Sequence, residues 1–329
     1  MSDAVADSTN PTRTRRQRVV WMALRLSLLI IAIFAMTSLL SGIDLHKVVS
    51  DLRHAAPWLL VLGFVLANLT RVSQATSTLG ASPKPLPFAP VYALQLAMSF
   101  ITVAVPSYAG RVAVAIRFFQ RQAVATGAAV AAGALDVMTT FFIEVIGITV
   151  LIVFTPASLD IKLRLPTESA KRLLIIAGVI VAIGVIVLVS VAKWRRFVAD
   201  WSKRLVSDGW SAIKGLNSPR RLVLLLGGNL VTELLFTLAL GTFAHAMGTT
   251  VPFADLLLIH LSVSLLAGLA PVPGGVGVAE TLLTYGLIRS GMTDDAAFAA
   301  VIAYRASTFY LPPIWGYFAL RWLEHRHHV

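Results

Sequence analysis

Arg71, Asp136, Glu144, Glu233, Glu280 and Arg305 fall inside stretches of sequence that are otherwise apolar enough for a membrane. An ionisable group in hydrocarbon must pair or meet water, so such residues mark a functional site by default. Asp136, Thr140 and Glu144 recur at i, i+4 and i+8, which places them on one helix face and predicts that they line one cavity. Arg71 and Arg305 fit two roles equally: neutralising Glu233 and Glu280 as structural pairs, or contacting a substrate. Arg111 follows Gly110 at the expected start of a half-helix, where the helix dipole and the guanidinium would both attract a phosphate.

A second anion-friendly feature is the stretch Pro271–Glu280, PVPGGVGVAE, flanked by the apolar runs 256–270 and 281–288. Pro271, Pro273, Gly274, Gly275 and Gly277 must interrupt the helix, and irregular backbone at membrane depth survives only where protein buries it or a wet cavity meets it. A half-helix beginning at Gly275 or Gly277 would point its N–H groups and positive end at an anionic group. A loop outside the membrane is the other reading. Tyr108 and Tyr304 could hydrogen-bond a headgroup or anchor their helices, and His245 and His260 read as packing or interfacial residues. No nucleophile with its base, metal cluster, phosphate-cradling loop or carboxylate dyad stands out, so no catalytic residue, cofactor or metal is expected. The ending His325-Arg326-His327-His328 reads as a solvated tail.

The elements that position these groups are membrane helices. The chain has 329 residues, of which 57% are hydrophobic and 13% charged, and its mean hydropathy is +0.79; several apolar runs reach the ~20 residues that cross a bilayer. The formal charge of +12 gathers in the N-terminal tail and after Ala192, as expected of cytoplasmic ends, which argues against a nucleic-acid partner. There is no cysteine, so disulfides and thiolate chemistry are excluded. Residues 1–18 read as a disordered basic cytoplasmic tail, 19–322 as one transmembrane domain, and 323–329 as a cytoplasmic tail.

Along the chain, spans are expected over 19–40, 57–78, 123–154, 173–191, 222–247 and 296–322, with the short charged stretch 44–53 as an outer loop. Residues 193–221 form a basic cytoplasmic segment carrying Trp194, Trp201 and Trp210, either an amphipathic helix on an anionic leaflet or a plain positive-inside loop. Between the spans, 88–105 is broken by Pro106 and followed by an arm bearing Arg111, Arg117 and Arg121; 253–270 is broken at Pro271.

These two segments are related. Adding 165 carries Pro87-Phe88-Ala89 onto Pro252-Phe253-Ala254, Leu96 onto Leu261, Ser99 onto Ser264, Pro106 onto Pro271 and Gly110 onto Gly275, while Asn68-Leu69 meets Asn229-Leu230 at 161. The halves are about 19–154 and 172–322. The expected fold is therefore all-α and polytopic: six full spans plus two re-entrant broken-helix hairpins in an inverted repeat, with eight to ten full spans as the alternative.

The run Pro273-Gly274-Gly275-Val276-Gly277-Val278-Ala279-Glu280, with Gly291, Ala296 and Tyr304-Arg305 beyond it, resembles the lysylphosphatidylglycerol synthase transmembrane-domain family of flippase-like proteins. The resemblance implies translocation of a phospholipid or polyprenyl-phosphate headgroup across a bacterial inner (plasma) membrane, with membrane lipids as partners and both termini cytoplasmic. It leaves room for a homo-oligomer or a partner lipid-modifying enzyme. Because the chain ends at Val329, it implies the membrane half alone, without the aminoacyl-transferase domain. Two other functions fit the residues: a secondary transporter of a small anionic solute, and a membrane-embedded lipid transferase or its accessory subunit. Where the family usually has Gly-Glu and a later Glu-Arg before Asp, this chain has Gly110-Arg111 and Leu135-Asp136. On the flippase reading Arg111 and the Gly274-Gly275 backbone hold phosphate, while Glu280, Glu233 and Asp136 hold a cationic headgroup group or a coupling proton.

The inverted arrangement predicts that a cysteine at Ser107 reacts with impermeant reagents only from the cytoplasm and one at Val272 only from outside. Reversed labelling would mean that the hairpins cross the membrane.

Overall fold

The computed structural model describes residues 45–104, 108–154, 218–269 and 275–329. The expected spans 19–40 and 173–191, most of the basic segment, the N-terminal tail and the tips at 105–107 and 270–274 lie outside the described residues.

Within those limits the chain is helical throughout: α1 (Leu45–His54), α2 (Pro57–Ala81), α3 (Phe88–Ala104), α4 (Tyr108–Arg121), α5 (Thr126–Phe154), α6 (Pro219–Ala246), α7 (Phe253–Leu269), α8 (Val278–Arg289), α9 (Asp294–Arg305), a π-helical turn (Ala306–Tyr310) and α10 (Pro312–His325). Helices α2, α5 and α6 are long and apolar enough to cross a membrane. Proline opens α2 and α6 at the first turn, where its missing N–H costs nothing.

Two sequence expectations change. The stretch read as an outer loop is the helix α1: Leu45, Val48, Val49 and Leu52 recur at helical spacing, and Val48 and Leu52 pack on Phe298 and Ala299. The segment 296–322, read as one span, is α9, a π turn and α10, because Pro312 and Pro313 cannot donate to the helical ladder.

The two halves meet at a crossing of α2 on α6. The contacts run Gly63 with Phe243, Ser77 with Gly228 and Gly80 with Leu225, numbers rising in one helix as they fall in the other, so the pair is antiparallel. Backbones touch there: a Cβ on Gly228 would stand 2.6 Å from the Ser77 nitrogen, and one on Gly80 would stand 2.7 Å from the Arg221 carbonyl oxygen. Between them the hydroxyls of Ser73 and Thr232 bond at 2.8 Å. Small residues let helices approach closely where lipid supplies no hydrophobic drive between them.

Around this crossing, each half's first broken segment packs on the other half's last helix. Gly316 of α10 seats against Leu96 and Ser99 of α3, and Gly147 of α5 against Leu261 of α7. Helices α7 and α8 fold back on each other, Gly286 meeting Ile259 and Gly275 meeting Ala267. Helices α3 and α7 have 17 residues each, about 25 Å, short of the ~30 Å hydrocarbon core. The base of α3–α4 lies where α10 ends, with Val91, Leu94, Phe118 and Phe119 packed on Leu323. The base of α7–α8 lies at the opposite end, with Val251, Leu287 and Met292 beside Met247 and Ala296.

Gly228→Ala therefore forces α2 and α6 apart and should cost about 1–3 kcal/mol as overpacking does, read as a lower melting temperature in detergent. Gly227→Ala, whose added Cβ meets nothing within 4 Å, is the control and should leave stability at or above that of the unaltered chain.

Candidate functional site

The site begins with the backbone of the last helix. Pro312 has no N–H, so the Thr308 carbonyl four residues earlier loses its helical donor. Arg71 of α2 supplies one, its Nη2 donating to Thr308 O at 3.1 Å while its Nη1 donates to Gln74 Oε1 at 3.0 Å. Before the prolines the helix widens, and the Leu311 N–H reaches Ala306 O at 2.9 Å in the i→i+5 pattern of a π turn. In an α-helix residues five apart diverge by about 140°. The π turn instead brings Arg305 and Tyr310 to one acceptor.

That acceptor is Glu280, which has no exposed surface. Arg305 Nε and the Tyr310 hydroxyl each donate to Glu280 Oε1 at 2.7 Å, and the Gly277 N–H donates to Oε2 at 2.7 Å. Glu280 is the third residue of α8, so its carboxylate caps the helix N-terminus and favours its positive end. The chain can turn into that cap because Gly275 and Gly277 take φ of +63° and +84°, left-handed values that cost residues with a Cβ. Arg305 also lies over Phe309, its Cζ 4.5 Å from the ring centroid, a favourable cation–π distance.

A second polar cluster joins α2, α5 and α6. Asn229 donates to Asp136 Oδ1 at 2.9 Å and accepts from Thr140 at 3.0 Å. Thr78, which accepts from Gln95 at 2.8 Å, lies 3.5 Å from Asp136 Oδ2.

The third cluster lies deeper in the second half. His260 Nε2 is 2.9 Å from Glu233 Oε2, and the Tyr304 hydroxyl is 3.5 Å from His260 Nδ1. Ser264, one turn along α7 from His260, donates to Glu144 Oε1 at 2.6 Å. Among the described residues no group of three His, Asp or Glu side chains could hold a metal ion.

The sequence residues are thus distributed over three clusters. Glu280 and Arg305 meet, as one of their two readings required; Arg71 bonds the broken helix, and Glu233 bonds His260. Asp136, Thr140 and Glu144 do share a face, turned toward α6 and α7. Tyr304 joins the histidine cluster and is 4% exposed. Pro271, Pro273 and Gly274 lie outside the described residues, as does the side chain of Arg111, whose backbone is in the first turn of α4. Nothing in the sequence singles out Asn229, Ser264, Gln95 and Tyr310 as site residues, and His260, expected to be a packing or interfacial residue, bonds Glu233. Pro312-Pro313 signals Tyr310 only indirectly, because a proline pair marks where the helix must change its winding.

Arg305→Ala leaves the Glu280 carboxylate buried without its cation and should cost about 3–5 kcal/mol. Pairing it with Glu280→Gln should restore much of that loss, which thermal unfolding of the single and double variants in detergent will read.

Compared with curated proteins, the chain matches none. Residues 20–316 match the family described as the lysylphosphatidylglycerol synthase TM region, a span that takes in all the helices described here except the last part of α10. A glycine turn capped by a buried glutamate, inside a bundle whose long helices are fit to cross a bilayer, is the local form that Gly275–Glu280 takes. The chain is a membrane protein belonging to the family of the lysylphosphatidylglycerol synthase TM region.

Proposed function

We propose that the chain is a flippase-like transporter that carries the phosphate-bearing headgroup of a phospholipid or polyprenyl-phosphate lipid between leaflets, along a path between its two halves. One observation carries the reading. The half-helix α8 begins at mid-depth in the bundle, with its start tied through Glu280 to Arg305 and Tyr310, beside the point where Arg71, midway along α2, reaches the broken last helix. A helix N-terminus held at that depth is an anion-attracting end in a place where an ordinary protein would bury only apolar side chains.

The antiparallel crossing of α2 and α6, and the exchange of partners in which α3 packs on α10 and α7 on α5, support an inverted repeat with hairpins rooted at opposite faces. Lys84, Arg117, Arg121, Arg220, Arg221, Arg321 and Arg326, with Glu324, gather toward one end of the bundle, while the other mixes Asp255, Asp294 and Asp295 with Lys47, Arg53 and Arg289. The positive-inside rule makes the basic end cytoplasmic. On this reading the α3–α4 hairpin opens to the cytoplasm and the α7–α8 hairpin to the outside.

Arg111 and the Gly274–Gly275 backbone hold the phosphate. Glu280 holds the half-helix in place, both its oxygens being engaged by protein donors. The acyl chains stay in lipid, and transport rather than group transfer is the activity on this reading.

The test is translocation of a tail-labelled fluorescent phosphatidylglycerol in proteoliposomes, read by quenching of the outer leaflet. The unaltered protein should move the lipid faster than protein-free vesicles. Arg111→Ala, purified at normal yield, should slow it at least about tenfold, as expected from losing a charged hydrogen bond worth about 1.5–3 kcal/mol. Equal rates with and without protein would end the lipid-transport reading, and an unimpaired Arg111→Ala would remove this residue from it.

A further inference from the structure

We infer that Glu144, Glu233 and His260 form a proton-binding site that couples transport to a proton gradient. The inference rests on the transport reading above and adds its energy source. Glu144, Glu233 and His260 are 6%, 5% and 7% exposed, well inside the bundle. Glu233 and His260 share a bond of 2.9 Å, and Ser264, one turn on along α7, bonds Glu144 at 2.6 Å. The cluster is drawn from both halves: Glu144 from α5 of the first, Glu233, His260 and Ser264 from α6 and α7 of the second.

Charge makes the case. Among the described residues neither carboxylate is salt-bridged to a lysine or arginine, and Glu233 has His260 as its ion-pairing partner. Among the described residues, Tyr304 and Arg305 of α9 are the ionisable groups that face the cluster. Arg305 is engaged by Glu280 of α8. From α2, Ser73 brings a hydroxyl to Thr232, the neighbour of Glu233. Without protons the three groups carry two negative charges in a low-dielectric interior; one proton leaves one negative charge, and a second makes the cluster neutral. Burying uncompensated charge costs several kcal/mol per ion. The closed cluster therefore holds protons, and it releases them where water reaches it.

Both imidazole nitrogens have partners, Glu233 on one side and Tyr304 on the other. A proton arriving on one nitrogen can leave from the other as the tautomer changes. Parting of α5 from α7 would take Glu144 from Ser264 and open the cluster to water. Each cycle takes a proton from water on one side and returns it to water on the other, so protons balance without any co-reactant.

The experiment uses the same proteoliposomes and labelled phosphatidylglycerol, with an internal pH dye and an imposed gradient of about one pH unit. A tenfold proton ratio can support up to about tenfold asymmetry between the two gradient directions for each coupled proton. The expected result is a several-fold asymmetry in the unaltered protein, reduced to a ratio of about one in Glu233→Gln and Glu144→Gln. Lipid moving in the unaltered protein at rates independent of gradient direction overturns the inference and leaves the transport reading standing, as does asymmetry retained in both variants. If no lipid moves in any gradient, the transport reading fails, and infrared titration of the purified protein judges the proton site. A protonated-carboxyl band present in the unaltered protein and lost in Glu144→Gln or Glu233→Gln supports it, and absence of that band overturns it.

Discussion

Backbone groups freed by a helix break must find partners when no water is at hand, and Glu280 is where this chain meets that demand at the start of α8. Its carboxylate caps the start of α8 at Gly277 and binds Arg305 and Tyr310 on either side of the π turn. Two interruptions in different segments thereby fix one another. A second freed group, the Thr308 carbonyl, is met by Arg71 from the other half. Charges that would be expensive alone in a membrane are spent as internal donors and acceptors for irregular backbone, and they tie the broken helix to α2 across the seam.

Steric closeness does the complementary work. The α2–α6 crossing has glycine on both sides and a serine–threonine hydroxyl pair between, so the halves meet backbone to backbone. A seam of that kind has little side-chain bulk to interlock. Polar clusters take up the task of registering the halves: Asn229 binds Asp136 and Thr140, and Ser264 binds Glu144, each bond joining α5 to the second half. Hydrogen bonds between helices are directional, so a small shift breaks them where a greasy interface would slide.

Much of this arrangement could be read from residue order. Apolar runs located α2, α5 and α6 to within a few residues, while the expected breaks at Pro106 and Pro271 lie outside the described residues. The face shared by Asp136, Thr140 and Glu144 follows from helical periodicity alone. Partner identity was harder. Arg71 had two acidic candidates, and a sequence gives no reason to prefer a backbone carbonyl, because the carbonyl is freed only by Pro312 far along the chain. His260 looked like a packing residue since its acid, Glu233, lies on another helix. Helix α1 is hard to read because it is short and Lys47, Asp51 and Arg53 interleave with its i, i+3, i+4, i+7 apolar positions.

The sequence offset that aligns the two broken segments is most informative where it carries no residue across. At the offset of 165 that relates the two hairpins, Glu280 falls on Ala115; at 168, the offset between the starts of α5 and α9, Arg305 falls on Val137 and Tyr310 on Phe142. The first half therefore has no counterpart of the carboxylate, guanidinium and phenol that occupy the start of α8. It has Arg111 in the first turn of α4 instead. In the second hairpin the positive end of the half-helix is answered from within by Glu280. In the first, the sequence adds positive charge to a positive end and provides no acid at the matching position. The two broken segments therefore differ at these positions: the start of α8 is bound by Glu280, Arg305 and Tyr310 of its own half, whereas the matching places of the first half carry Ala115, Val137 and Phe142.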